Sequence, residues 1–404
     1  MTELLERFLR YVAIDTQSDE LATSQPSTTK QFNLLKLLQS ELSAMNIANV
    51  LDEHGYLYAS IPSNSSKKHT KVGFVAHVDT SPDVSGKDVK PHVWQNYDGN
   101  DLLLNGEKNI FLKVAEYPEL KKYIGQTIIT TDGTTLLGAD DKAGVAAIMQ
   151  VAKFVTENPT FEHGEIRIAF TPDEEIGRGT EHFSLEKFDA DYAYTIDGGE
   201  VGELEYECFN AATAKIHILG NNIHPGYAKN KMVNSIRVAQ EFDSLLPKNE
   251  RPENTEAYEG FFHLTDFCGS VEYADFQYII RDHSKKNFNL RKEKILEITN
   301  LLNQKYGNIV QTEITDSYRN MKEFIEPHFE VVEWAIEAMK KAGVVPKIQP
   351  IRGGTDGAEL SRMGLPCPNI FAGGHNFHSK MEYVPLESIE KCKEVILNIL
   401  QTTT

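Results

Sequence analysis

Lys71-Val72-Gly73-Phe74-Val75-Ala76-His77-Val78-Asp79-Thr80 is an apolar run that stops abruptly in His-x-Asp. A strand puts residues i and i+2 on one face, so His77 and Asp79 project together from the end of a buried strand. A carboxylate beside an imidazole is the arrangement that orients a histidine toward a metal. Taken alone, the pair is better read as a strand end with a solvated acid and a satisfied histidine. Its meaning depends on what else arrives at the same place.

Working outward, Tyr56-Leu57-Tyr58-Ala59-Ser60-Ile61 reads as the preceding strand, separated by the polar loop Ser63 to His69. Leu4, Leu5, Phe8, Leu9 and Val12 recur at helical spacing, and a second helix is expected after Ser27. Downstream, Gly138-Ala139-Asp140-Asp141-Lys142-Ala143-Gly144 opens a helix through Val145, Ile148 and Val151. Glu165 to Phe170 is a strand running into Thr171-Pro172-Asp173-Glu174-Glu175. Tyr192 to Ile196 is another, ending in Asp197-Gly198-Gly199, and Pro368 to Ala372 runs into Gly373-Gly374-His375-Asn376-Phe377-His378. Apolar strands alternating with helices predict an α/β catalytic domain with a mixed, largely parallel sheet flanked by helices. The middle differs. Strands near 214–220, 276–280 and 309–314 and helices over 232–246 and 292–306 suggest an inserted α+β lid and dimerisation domain. The expected organisation is 1–206 and 323–404 for the catalytic domain and 207–322 for the insert.

His77, Glu174, Glu175, Asp197 and His378 each follow a predicted strand closely. In open α/β sheets the ligand crevice lies outside the carboxyl ends of the strands, so these groups can converge. So many carboxylates in one crevice repel unless cations neutralise them. Two histidines with several acids and no cysteine suit zinc, cobalt or manganese. The set is too rich for one tetrahedral ion and is sized for two ions sharing a carboxylate, which is hydrolytic chemistry. Neighbours in an extended segment point to opposite sides, so one of Glu174 and Glu175 can bind metal while the other serves as a general base.

Bulk properties narrow the alternatives. Forty-one Lys and Arg against 59 Asp and Glu give a net charge of −18. That charge repels phosphate backbones and anionic lipid, arguing against nucleic-acid or membrane partners. No segment approaches the ~18 consecutive apolar residues of a membrane span. Met1-Thr2-Glu3-Leu4-Leu5-Glu6-Arg7 does not read as a secretory signal. Cys208, Cys268, Cys367 and Cys392 are widely spread, which fits free thiols in a reducing cytoplasm.

The chain resembles the M20 family of co-catalytic metallopeptidases, and within it the tripeptide aminopeptidases. The resemblance rests on six motifs in order: Ala76 to Thr80, Gly138 to Gly144, Thr171 to Gly177, Thr195 to Gly199, Ile351-Arg352-Gly353-Gly354-Thr355-Asp356-Gly357-Ala358 and Phe377-His378-Ser379-Lys380-Met381-Glu382. It implies two Zn2+ per subunit, with Co2+ or Mn2+ as substitutes. One would be held by His77, Asp140 and Asp197, the other by Asp140, Glu175 and His378. Glu174 would be the general base and Asp79 the support for His77. It further implies a homodimer through the lid domain, tripeptide substrates, and substrate contacts from Arg352, Arg281, His224 and Asn234. Another M20-type hydrolase, a dipeptidase, carboxypeptidase or N-acyl amino-acid deacylase, would share the metal ligands. His375 departs from the family pattern and is open as a surplus ligand, a substrate contact or a loop residue.

Overall fold

The computed structural model describes residues 2–66 and 69–402, so Lys67 and Lys68 of the polar loop lie outside the described residues. The chain divides into two compact units. The first comprises Met1–Tyr206, Glu323–Gln349 and Thr355–Thr404, the second Glu207–Lys322 with Pro350–Gly354.

The first unit is built on an eight-stranded sheet. Its strands are β1 (Ala48–Leu51), β2 (Leu57–Ile61), β3 (Val72–His77), β4 (Ile166–Thr171), β5 (Tyr192–Gly198), β6 (Glu203–Glu205), β7 (Lys347–Ile348) and β8 (Asn369–Phe371). They lie in the order β1-β2-β4-β3-β5-β8-β6-β7. The centre is parallel, with β3 paired to β4 and β5, and β5 to β8. β1, β2 and β6 join antiparallel. Every residue of β3 is buried, as a strand covered on both faces requires. That is why its sequence is continuously apolar until His77. The same parallel alignment brings the carboxyl ends of β3, β4, β5 and β8 to one edge.

Helix α1 spans Glu3–Val12 and α2 spans Gln31–Ala44. α2 starts later than the sequence suggests, because the Ser27 backbone and hydroxyl are bonded to Asp173 and the chain turns before Gln31. Helix α3 (Ala139–Glu157) is buried on nearly every side. It packs on β3 and β5, against α1, and against α6 (Leu386–Thr402). The remaining helices of the unit include α4 (Glu330–Lys341) and α5 (Asp356–Arg362). Two small sheets, His92–Trp94 with Ile128–Thr130 and Tyr383–Pro385, and the pair Leu102–Asn105 with Ile110–Leu112, have no counterpart in the sequence reading. Their strands are three or four residues long, too short to display a period.

The second unit has a four-stranded antiparallel sheet in the order Phe261–Gly269, Tyr273–Asp282, Asn210–Leu219, Val310–Tyr318. Helices Ser235–Ser244 and Lys285–Tyr306 cover one face. Ala212, Ile216, Phe242, Phe276, Ile280, Ile295 and Leu302 form their shared core. Phe261–Gly269 was not expected; beyond its first two residues it is exposed and lacks alternation. Pro350–Gly354, expected with the flanking catalytic segment, groups here instead. The Ile351 amide donates to Glu207 O (2.8 Å), and the Arg352 guanidinium is bonded to the loop around residues 255–259.

Gly144 in α3 supplies a stability test. A β-carbon there would press on the Ile196 carbonyl and lie 2.5 and 2.8 Å from the two carboxylate oxygens of Asp141. Glycine-to-alanine changes inside helices ordinarily stabilise by about 0.5–1 kcal/mol. Here overpacking reverses the sign, and Gly144→Ala is expected to cost about 1–3 kcal/mol, read as a lower denaturation midpoint.

Candidate metal centre

The end of β3 sets the geometry. The His77 ring is buried. Its Nδ1 lies 3.1 Å from the Asp79 backbone oxygen and 3.3 Å from Asp79 Oδ1. That pairing aims Nε2 at Asp140 Oδ1 (2.9 Å) and Asp197 Oδ1 (3.5 Å). Asp79 has a second task that sequence reasoning missed: Oδ1 accepts from the Glu174 amide (3.0 Å) and Oδ2 from the Glu175 amide (3.2 Å). One carboxylate thus ties the end of β3 to the turn after β4.

That turn is held from its other side. Asp173, in the left-handed region at φ 56, is buried, and its carboxylate accepts from the Ser27 amide (2.6 Å) and the Gln31 side chain (2.6 Å). Glu175 Oε2 then faces His378 Nε2 at 2.8 Å, with Asp140 Oδ2 at 3.4 Å from the same nitrogen. His378 also has a positive φ, 57. Positive φ in a non-glycine residue costs roughly 1–3 kcal/mol and concentrates at functional sites.

Asp140 is placed by backbone shape. Gly138 adopts φ 81, and Asp140 (φ −83, ψ 106) is not helical although it sits in the first turn of α3; its peptide bond to Asp141 is cis. The buried Glu382 carboxylate accepts from the amides of Leu137 (2.7 Å), Gly138 (2.9 Å) and Asp140 (3.1 Å). Glu382 closes the stretch Phe377-His378-Ser379-Lys380-Met381-Glu382, but no local sequence signal marks this bond. Asp141 turns away into the core, where it accepts from the Gly144 amide (3.1 Å).

Two three-residue sets therefore share Asp140. His77, Asp140 and Asp197 offer ligand atoms within 4.8 Å of one another, and so do Asp140, Glu175 and His378. Electrostatics mark the cluster as short of positive charge. Burial pushes Glu174 well above the usual carboxylate range, with the Asp197 charge adding to it. Burial, then Asp140, raises Glu175 to about 8, and burial raises Asp197 to about 6. Burial would raise Asp140 too, but its bonds to His378 and His77 outweigh this and hold it low. His378, bonded to Asp140 and Glu175, is pushed up to about 11. Glu175 Oε1 is buried with no hydrogen-bond partner among the described residues. An imidazole-and-carboxylate donor set, an orphaned acceptor and raised acids all fit divalent cations of the zinc, cobalt or manganese kind.

His375 belongs to neither set. Its Nε2 shares a hydrogen bond with the Tyr123 hydroxyl (2.6 Å) and its ring stacks on Tyr383 at 4.8 Å. Burial lowers its pKa to about 4.

The four other expected contacts lie in the second unit. Arg352 donates to the carbonyls of Ala257 (2.6 Å) and Glu259 (3.1 Å) and lies over the Phe209 ring. Arg281 donates to the Arg352 carbonyl (3.2 Å) and sits over Tyr318. His224 is exposed and accepts from the Gly226 amide (3.1 Å). Asn234 caps helix Ser235–Ser244 by accepting from the Ile236 amide (3.0 Å).

Residues 132–402 match the family model of peptidase family M20/M25/M40. The chain is 56% identical over 405 residues to a peptidase T from Alkaliphilus oremlandii and 53% identical over 403 residues to one from Clostridium novyi, covering 99% of each chain in both cases. Among solved structures it is similar to a tripeptidase from Staphylococcus aureus, with a TM-score of 0.79 at 23% identity over 98% of this chain and 97% of the other. It is also similar to a dinuclear metal-binding peptidase of the M20 family from Bacillus subtilis, with a TM-score of 0.66 at 15% identity over 99% and 98%. The structures speak to fold, and the sequence relatives to descent along the whole length. By the family model and these full-length relatives, the chain belongs to peptidase family M20/M25/M40 and is a metallopeptidase.

Proposed function

We propose that the protein is a dinuclear zinc aminopeptidase that releases the N-terminal residue from tripeptides. The observation that carries the reading is the shared Asp140, flanked by His77 and Asp197 on one side and by Glu175 and His378 on the other. The full-length relatives named peptidase T support the substrate class.

In this reading His77, Asp140 and Asp197 hold one Zn2+ and Asp140, Glu175 and His378 the other; Co2+ or Mn2+ suits the same donors. Two such ions, when bound, polarise a peptide carbonyl and acidify a water. Glu174 takes the water's proton and passes it to the leaving amine. Its proton affinity is raised, first by burial and then by the Asp197 charge, which is the direction a group that takes up a proton requires. Asp79 keeps the His77 ring and the Glu174 amide in register.

Contacts to the peptide from Arg352, Arg281, His224 and Asn234, and a homodimer through the second unit, rest on resemblance to the family. Among the described residues no helix is long and apolar enough to cross a membrane. A cytoplasmic location is inferred from composition and the absence of disulfides among the described residues.

Three outcomes test the reading. Glu174→Gln should keep full metal content and lose turnover by about 10²–10⁴-fold, measured as kcat beside elemental analysis. Retained turnover would reassign the base. Fully active protein should carry two ions per chain, and removal by a chelator should abolish activity until zinc or cobalt is restored. Free tripeptides should be cleaved while N-acetylated ones are not. Efficient cleavage of an N-acetyl substrate would transfer the protein to the deacylase or carboxypeptidase reading.

A further inference from the structure

The two histidines present the same atoms to the same bridge. Each directs Nε2 at Asp140, His77 at 2.9 Å and His378 at 3.4 Å. Each therefore has Nδ1 free for an orienting acceptor. For His77 that acceptor is Asp79, as already described. For His378 it is Asp83, whose Oδ2 lies 3.1 Å from Nδ1. Asp83 stands four residues beyond Asp79 in the chain.

Asp83 is exposed, and an exposed carboxylate normally pairs weakly. Its loop, however, is built. The Gln17 side-chain amide (Nε2) donates to the carbonyl oxygens of Ser81 and Val84, both at 3.1 Å, and so staples the chain on either side of Asp83. The Asp83 amide donates to Ser81 Oγ (3.3 Å). One step further back, Gln17 bridges to Thr80, and the Ser18 amide donates to the Thr80 carbonyl (3.1 Å). On the other side, the Leu136 amide donates to the Ser85 carbonyl (3.1 Å). The carboxylate is thus delivered by a fixed backbone.

We propose that Asp83 is the positioning residue of the second half-site. It accepts from Nδ1–H of His378, fixes the tautomer that leaves Nε2 to a cation, and thereby sets how firmly the Asp140, Glu175 and His378 set holds its ion. The proposal rests on the two-ion reading above and goes beyond it by ranking the two positions. The His77–Asp79 pair is 2% and 0% exposed, whereas the His378–Asp83 pair is 41% and 64% exposed. Water competes for the second pair and not for the first. The second position is therefore the exchangeable one, and its affinity depends on Asp83.

The test uses full-length protein loaded with zinc or cobalt and titrated with a chelator. Metal content is read by elemental analysis, and the cobalt form by visible absorption. Wild type should hold two ions and release them in two steps. Loss of an orienting partner of a metal-bound histidine typically costs about 10–100-fold in metal affinity. Asp83→Ala should shift the weaker step by that factor and leave the tighter step in place. Asp83→Asn, whose amide oxygen still accepts from Nδ1–H, should fall between the two. Equal shifts of both steps, or no shift in either variant, would overturn the proposal while leaving the two-ion reading intact. Fewer than two ions in saturated wild type would overturn that reading itself, and the proposal with it.

Discussion

The Asp79 carboxylate is the constraint on which the site depends. It is fully buried, lies against the His77 ring, and accepts from two successive amides in the turn that carries Glu174 and Glu175. Bonds from amides to an ionised carboxylate are about twice as strong as neutral ones. They are also directional, so the end of β3 and the turn after β4 cannot drift apart without stranding a buried charge. A single side chain thereby sets the distance between one half-site and the acids that serve the other.

The arrangement is unfavourable for the bare polypeptide. Asp140, Asp197, Glu174 and Glu175 are gathered where water is scarce, and their raised or divided proton affinities record the cost. Buried charge without a partner is among the costliest features a fold can carry. The protein accepts it at one edge of the sheet and offsets it elsewhere, in a fully buried β3 that is apolar up to His77 and an α3 enclosed on nearly all sides. Cations held by these acids would stabilise the folded state as well as supply the chemistry, since whatever binds only the native form also stabilises it.

Much of this was legible in the chain. An apolar run interrupted by His-x-Asp announces a buried strand with chemistry at its end, because burial on both faces forbids polar residues until the strand stops. The acids after β4 and β5 declare themselves in the same way. What stayed hidden was held by partners distant in sequence. Glu382 clamps the Asp140 amide across 242 residues, and Asp173 meets Gln31 across 142. Asp83 looks like any loop acid until the fold brings His378 to it. The strands around residues 92–130 and Phe261–Gly269 were missed because short or exposed strands carry no hydrophobic period. Arg352 lies in a motif that suggests ligand binding, yet its guanidinium holds the carbonyls of its own unit.

The order of the ligands along the chain has a consequence for biogenesis. His77, Asp140 and Asp197, with β3, α3 and β5 that carry them, all precede residue 207. His378 and the Glu382 clamp come more than 160 residues later, and β8 must insert between β5 and β6 before the loop that bears them can close. On the ribosome, the residues of the first half-site emerge long before those that finish the second. The Asp140, Glu175 and His378 set is thus completed only as the segment bearing His378 docks, and a chain lacking residues 375–404 keeps His77, Asp140 and Asp197 but not the second set.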